Sequence, residues 1–367
     1  MSVPVSDPLR LDPDERSAVE EAVDRVLRNG PLVLGPAVEA FEERFGAYVG
    51  GAGAAPYVVG VGNGSDALVL SLLALDLPSG AGVLVPANDG GFAAGAARAA
   101  GFVPVPVDVD PASLLVSPDT AHAALSPSCA ALVVTHLHGN VAELAALDAW
   151  RRSHGLRLIE DCAQAHGARS DQGHVGTTGD LATFSFYPTK NLGAMGDAGA
   201  VVTRDPDLAS AVRRLARYGW GERFRITEPA GRNSRLDALQ AAVLVARLPF
   251  LDAANQRRRA VVAAYADAAP DLVLPMSAGG VAHHAIVLTA ERDAVRARLA
   301  ADGVATDVHY PWLVTEMPGL GLDDTLLPGA DVSRRRTLTL PCFPGMTEPE
   351  VATVVGALSR AEDGVRA

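Results

Sequence analysis

Between residues 57 and 203 the chain repeats one alternation: a short apolar run of strand length, a turn, then a stretch with helical spacing. Strands are predicted at 57–61, 83–86, 103–109, 131–135, 156–159, 182–186 and 198–203, with helices at 65–75, 92–100 and 142–154 between them. Runs that are apolar at every residue, such as Ala131, Leu132, Val133 and Val134, suit strands covered on both faces. Helix-length connections make neighbouring strands run parallel. The expected fold class is therefore α/β, a large, mostly parallel sheet with helices on both faces. Helical spacing at 14–29 and 38–48 precedes the sheet, and helices at 208–218 and 236–248 follow it. A chain of 367 residues is long for one core. The expected division is a large domain over residues 1–250 and a small C-terminal α+β domain over 251–367. A helix at 253–268 links the two, and the small domain holds a strand at 285–288 and helices at 292–302 and 348–361.

Chemistry concentrates at the ends of these strands. Lys190 is the only lysine in the chain; it follows the apolar run at 182–186 and precedes a glycine-rich loop, Gly193 to Gly199. A composition that avoids lysine elsewhere argues against a solvated surface charge here. A lysine held in a half-buried turn has a depressed pKa, which makes its amine a nucleophile near neutral pH. Upstream, Asp161 closes another apolar run and is followed by Gln164. An acid and a lysine at the ends of two strands are the pair that pyridoxal phosphate needs: the lysine binds its aldehyde, and the acid keeps its pyridine nitrogen protonated. Gly62-Asn63-Gly64-Ser65 is a tight turn into a helix, whose free N–H groups suit a phosphate. Ser65 caps that helix, offers its hydroxyl to the phosphate, or does both. Ser185 is a second phosphate donor or an ordinary strand serine. The weight lies in the order of the set: glycine turn, Asp161 with Gln164, Ser185, Lys190, glycine loop.

The formal net charge of −12 leaves no basic stripe for nucleic acid. The clusters Arg213, Arg214 and Arg217, and Arg257 to Arg259, read as solvated helix faces. Three cysteines without metal-like spacing suit a reducing cytoplasm, and no bound metal is expected. No signal peptide and no long uncharged apolar run is seen, so neither secretion nor a membrane span is expected.

Quoted in order, Leu34-Gly35-Pro36, Gly62-Asn63-Gly64-Ser65-Asp66-Ala67, Glu160-Asp161-Cys162-Ala163-Gln164-Ala165-His166-Gly167, Tyr187-Pro188-Thr189-Lys190-Asn191-Leu192-Gly193, Gly231-Arg232-Asn233-Ser234-Arg235 and Val308-His309-Tyr310-Pro311 span almost the whole chain. In these segments it resembles the DegT/DnrJ/EryC1/StrS sugar aminotransferases, pyridoxal phosphate enzymes of fold type I. The resemblance implies that Lys190 carries the cofactor and Asp161 pairs with its pyridinium. Gln164 would lie beside the ring, and Gly64, Ser65 and Ser185 would hold the phosphate. Asn233 would reach the phosphate of a neighbouring subunit, which implies a homodimer with shared sites. On the residues alone, Asn233 also reads as a helix cap before Leu236, and the two roles can coexist.

The resemblance also has gaps. The family pattern after the second strand is Pro-x-x-Thr-aromatic, with the aromatic stacked on the cofactor. Here Pro86 is followed by Ala87-Asn88-Asp89-Gly90-Gly91-Phe92, so the aromatic position is Gly90. Phe92 either takes the stacking role or is a core residue. His136 opens His136-Leu137-His138-Gly139, where the family has tyrosine third. His136, His309 and Tyr310 are the positions that the resemblance turns toward substrate. The activity implied is amino transfer from an amino acid, L-glutamate first, through pyridoxamine phosphate to a nucleotide-linked keto-deoxysugar, at C3 rather than C4. A keto-inositol acceptor and a non-catalytic regulator are the rival readings. The 3-deoxysugar dehydratases of this fold replace the lysine with histidine, so Lys190 argues against them.

Overall fold

Every predicted strand of the alternation forms in the computed structural model, which describes residues 2–366. In chain order the strands are β1 (Tyr57–Val61), β2 (Gly82–Pro86), β3 (Val103–Val107), β4 (Cys129–Thr135), β5 (Arg157–Asp161), the short pair β6 (Arg169–Ser170) and β7 (Gly173–His174), β8 (Leu181–Ser185), β9 (Gly199–Thr203), the hairpin β10 (Trp220–Glu222) and β11 (Arg225–Ile226), β12 (Ala285–Leu288) and β13 (Thr337–Leu340). Seven of them make the main sheet, in the order β1-β9-β8-β5-β4-β2-β3. Only β9 opposes the others, pairing antiparallel with both β1 and β8.

Helices α1 (Pro13–Asn29), α2 (Pro36–Gly50), α3 (Gly64–Ala74), α4 (Phe92–Ala99), α5 (Pro118–Ala124), α6 (Leu144–Ser153), α7 (Pro206–Leu215) and α8 (Ala238–Arg247) cover the sheet or pack beside it. α3 is apolar nearly all round because it is buried, packed against β8, β9, α4 and α7. A separate apolar cluster surrounds β12 and β13, built from α9 (Leu251–Ala268), α10 (Arg292–Ala301) and α12 (Glu348–Arg366). The strand β13, α5, α11 (Pro328–Arg336) and both short hairpins are elements that the sequence pattern did not announce.

Because β2, β4, β5 and β8 run parallel, their last residues, Pro86, Thr135, Asp161 and Ser185, all reach one edge of the sheet. Ligands of open α/β sheets bind beyond that carboxyl edge. One arginine expected on a solvated face is not there: Arg258 is buried and donates to the carbonyl of Cys342 at 2.6 Å. It faces inward from α9, where its guanidinium ties the helix to the loop after β13. The three cysteines are unpaired. Among the described residues no helix is long and apolar enough to cross a membrane.

Candidate active site

A cavity of about 710 Å³ opens at the carboxyl edge of the sheet. Asn63, Gly64, Ser65, Phe92, Asp161, Gln164, Ser185, Lys190, His309 and Tyr310 all line it. The fold thus brings together every cofactor and substrate residue read from the sequence, with two exceptions treated below.

Lys190 sits in a turn just past β8, where its backbone N–H bonds back to the Tyr187 carbonyl at 2.8 Å. The following residue fixes that turn. The Asn191 amide donates to Asn255 at 2.7 Å and to the Val281 carbonyl at 3.1 Å, and its oxygen meets His283 Nδ1 at 2.8 Å. Beneath the turn, Phe184 and Phe186 pack edge-on against Phe45, with centroids 5.0 and 5.4 Å away. Among the described residues no carboxylate pairs with the Lys190 amine. Burial lowers its pKa to about 8, and the field of Asp161 offsets part of that shift. It is the state in which an amine is a usable nucleophile and base.

Asp161 ends β5. It accepts from the Ala163 N–H at 3.0 Å and lies at 3.5 Å from the hydroxyls of Thr135 and Thr183. Burial pushes its pKa up, against the pull of the Ala163 N–H and Lys190. A cationic donor facing this carboxyl, such as a protonated pyridine nitrogen, would favour its ionised form. Gln164 is held at both ends: its carbonyl accepts from the His138 N–H at 2.6 Å, and its amide donates to the Tyr310 hydroxyl at 3.1 Å.

The phosphate end is a cradle that only glycine permits. A Cβ at Gly64 would lie 2.6 Å from the Ser185 Cβ, so the start of α3 can meet the end of β8 only with no side chain there. Exposed Ser65 and the free N–H groups of the first turn of α3 face the cavity beside Ser185. Ser65 is not the cap that the sequence allowed. Asn63 takes that role, accepting from the Asp66 N–H at 2.8 Å, which leaves the Ser65 hydroxyl free for a ligand. Together the acid, the lone amine and this donor cradle fit pyridoxal phosphate.

Two residues lie elsewhere. His136 is fully buried beneath the sheet edge and does not line the cavity, so the expectation that it faces substrate is corrected. Its Nδ1 accepts from the Ala142 N–H at 3.2 Å, which leaves Nε2 to donate to Glu160 at 3.3 Å. Glu160 also accepts from the backbone of Gly176, Thr178 and Gly179. Burial would raise the Glu160 pKa, but His136 and these N–H groups hold it below the ordinary value. With Cys162 these two side chains have metal-like spacing, but the Glu160 oxygens are already engaged. Glu160 ties β5 to His136 and to the loop before β8. Asn233 is exposed and also outside the cavity. It does not cap α8, whose cap is Asp237, accepting from the Gln240 N–H at 2.9 Å.

The sequence reading missed His283 and His284, which form the wall facing Lys190. His284 stacks between His283 and His309, at 4.2 Å from each. Burial keeps His283 and His284 neutral. Adjacent histidines before a predicted strand, close in sequence to no other motif, gave no signal of their own. Phe92 is 50 % exposed on the cavity rim and meets Tyr310 edge-on at 5.8 Å.

Comparison with known proteins places this geometry. The model of the DegT/DnrJ/EryC1/StrS aminotransferase family matches residues 13–359. The dTDP-3-amino-3,4,6-trideoxy-alpha-D-glucose transaminase of Streptomyces venezuelae is 40% identical over 352 residues, which is 94% of this chain and 92% of that protein. The crystal structure of S. venezuelae DesV in complex with a ketimine intermediate superposes with a TM-score of 0.92 at 38% identity, covering 98% of this chain and 99% of that one. NtdA from Bacillus subtilis, solved with bound cofactor PMP, gives 0.91 at 28% identity over 99% of this chain and 85% of its own.

Proposed function

Since this chain belongs to the DegT/DnrJ/EryC1/StrS aminotransferase family, pyridoxal phosphate enzymes of fold type I, we propose that it aminates a nucleotide-linked keto-deoxysugar at C3, with L-glutamate as donor. The observation that carries this reading is one cavity holding the chain's only lysine, the buried Asp161 and the Gly64-Ser65-Ser185 cradle. Bound pyridoxal phosphate supplies an electron sink that acidifies the amino-acid Cα–H. Lys190, its amine pKa lowered to about 8, takes that proton and later returns one on the sugar carbon. Asp161 holds the proton of the pyridine nitrogen. Ser65, Ser185 and the N-terminus of α3 bind the phosphate. Gln164 holds Tyr310 in place, and Phe92 and Tyr310 form the aromatic part of the cavity wall. The C3 preference rests on the segment Tyr187-Pro188-Thr189-Lys190-Asn191-Leu192-Gly193, which resembles the family's C3-acting enzymes more than its C4-acting ones, and on the name of the Streptomyces relative.

The cradle offers a phosphate dianion hydroxyls and N–H groups but no arginine. A second subunit that brings Asn233 to it makes a homodimer with shared sites. The free cysteines fit a cytoplasmic enzyme. A panel of 3-keto and 4-keto nucleotide sugars and keto-inositols, each with L-glutamate and read by mass spectrometry, tests the reading. Amination of 3-keto nucleotide sugars is expected. Turnover confined to a keto-inositol, or none with any ketone, would overturn it.

A further inference from the structure

The loop after β2 carries a further carboxyl into the cavity that Asp66, Asp161 and Asp197 also line. Asp89 is 2 % exposed and lines the cavity that holds Asp161 and Lys190. Its Oδ1 accepts from the Gly91 N–H at 2.8 Å and its Oδ2 from the Ala93 N–H at 2.9 Å, which pins it at the start of α4. Each oxygen keeps a lone pair to spare. No side chain donates to it and no cation pairs with it among the described residues.

The rest of the loop places no side chain over that carboxyl. Gly90 and Gly91 both have left-handed backbone, with φ of 82° and 83°. A Cβ at Gly90 would stand 3.1 Å from the rings of Phe92 and Tyr310, and one at Gly91 would stand 2.6 Å from the Met317 sulfur. Neither position carries a side chain that could close over Asp89. The aromatic wall comes from Phe92 and from Tyr310, so the aromatic position of the family pattern stays open beside the carboxyl.

A buried polar group facing a cavity with no protein partner calls for a partner on the ligand. Burial pushes the Asp89 pKa up to about 7, despite the Ala93 N–H, and Asp161 adds to the rise. Near neutral pH the carboxyl therefore exchanges between forms that accept and donate, which suits a hydroxyl. The carboxylates of an amino-acid donor are disfavoured beside Asp89, with Asp66, Asp161 and Asp197 lining the same cavity. Of the two substrates of the proposed reaction, the sugar is the one with matching groups.

We propose that Asp89 is a specificity-determining residue that hydrogen-bonds one hydroxyl of the sugar ring and so selects sugars that carry it. This rests on the reading of the cavity as a nucleotide-sugar site. The test uses protein loaded with pyridoxamine phosphate and calorimetric titration with thymidine diphosphate-glucose, uridine diphosphate-glucose and their singly deoxygenated analogues. For the wild type, deleting one particular hydroxyl should weaken binding about tenfold or more, because a site built for a hydroxyl rejects its absence. Asp89→Ser, which keeps an oxygen to cap α4, should bind that analogue and its parent within about twofold of each other. Asp89→Asn should lie between. A role limited to helix capping would weaken all analogues alike. If a nucleotide sugar binds and no single hydroxyl matters to the wild type, the Asp89 assignment falls while the proposed function stands; this arm needs no variant to fold. If Asp89→Ser keeps the full discrimination, the hydroxyl belongs to another residue. If neither nucleotide sugar binds the wild type at all, both readings fall.

Discussion

A lone amine in a half-buried turn has consequences that can be measured before any substrate is known. Borohydride reduction of the loaded protein should fix the label on the peptide that carries Lys190, and Lys190→Ala should keep at most loosely held cofactor and lose turnover. With no second lysine in the chain, an unlabelled Lys190 peptide from demonstrably loaded protein would sink the assignment. The same residue predicts a pH effect on the cofactor-free protein. Its pKa is lowered to about 8, and the unfolded chain titrates near 10.4. Between those values the unfolded state binds the extra proton, so the cost is fully present below about pH 8 and is relieved as pH rises to about 10.4. Relative to Lys190→Met, the wild type should gain on the order of 2 kcal/mol across that window. Urea unfolding at both ends of the window measures this, and a flat difference would mean that the amine is not buried. Asp161→Asn should bind cofactor but turn over at least ~100-fold slower, since an amide cannot hold the pyridinium proton; near-full activity would move the acid role elsewhere. Glu160 is not the substitute, because successive strand residues point to opposite faces and Glu160 faces the loop at 176–179. Lys190 and Asp161 were legible because charge at the end of an apolar run is rare and chemically specific. His136 was misread because its motif lies at a strand end, where nothing in the residue types says which side of the sheet receives the ring.

At the scale of elements, the junction of α3 with β8 is the joint on which the phosphate cradle depends. Gly64→Ala places a methyl 2.6 Å from the Ser185 Cβ, a contact that must open. The expected cost is ~1–3 kcal/mol of stability. Pyridoxal phosphate should also bind more weakly, because Ser185 and the α3 N-terminus separate. Thermal unfolding and a fluorescence titration with the cofactor report the two effects; unchanged affinity would show that the cradle does not need that approach. The strands were legible because those covered on both faces are apolar throughout. The cap of α3 was not, since Asn63, Ser65 and Asp66 all have capping side chains and the end of β1 decides among them. β13 went unread although Thr337, Leu338, Thr339 and Leu340 alternate, because all four are buried and the threonines are satisfied internally, Thr337 by the Ser333 carbonyl and Thr339 by His309. α11 is rich in arginine and shows no apolar stripe to announce it.

For the whole molecule, the question is whether one chain completes its own site. Asn233 stands outside the cavity of its own chain, exposed, and free of the capping role that was the alternative for it. The β10–β11 hairpin projects Phe224 and Ile226, which are 73% and 66% exposed although Trp220 and Arg223 pack on the Phe224 ring. A second copy that covers the hairpin and brings its Asn233 to the phosphate accounts for both features. Asn233→Ala should then weaken cofactor retention by ~1–3 kcal/mol, the range for a hydrogen bond to a charged group. Complementation separates a shared site from a merely adjacent one. Lys190→Ala and Asn233→Asp should each be inactive alone, the second because a carboxylate repels the phosphate. In a heterodimer with shared sites, one site carries both lesions and the other carries none. Each heterodimer should regain about half of a wild-type dimer's activity, so a fully exchanged equimolar mixture should regain about a quarter. If subunit exchange is demonstrated by mass and no activity returns, the sites are not shared, and Asn233 acts, if at all, within its own chain.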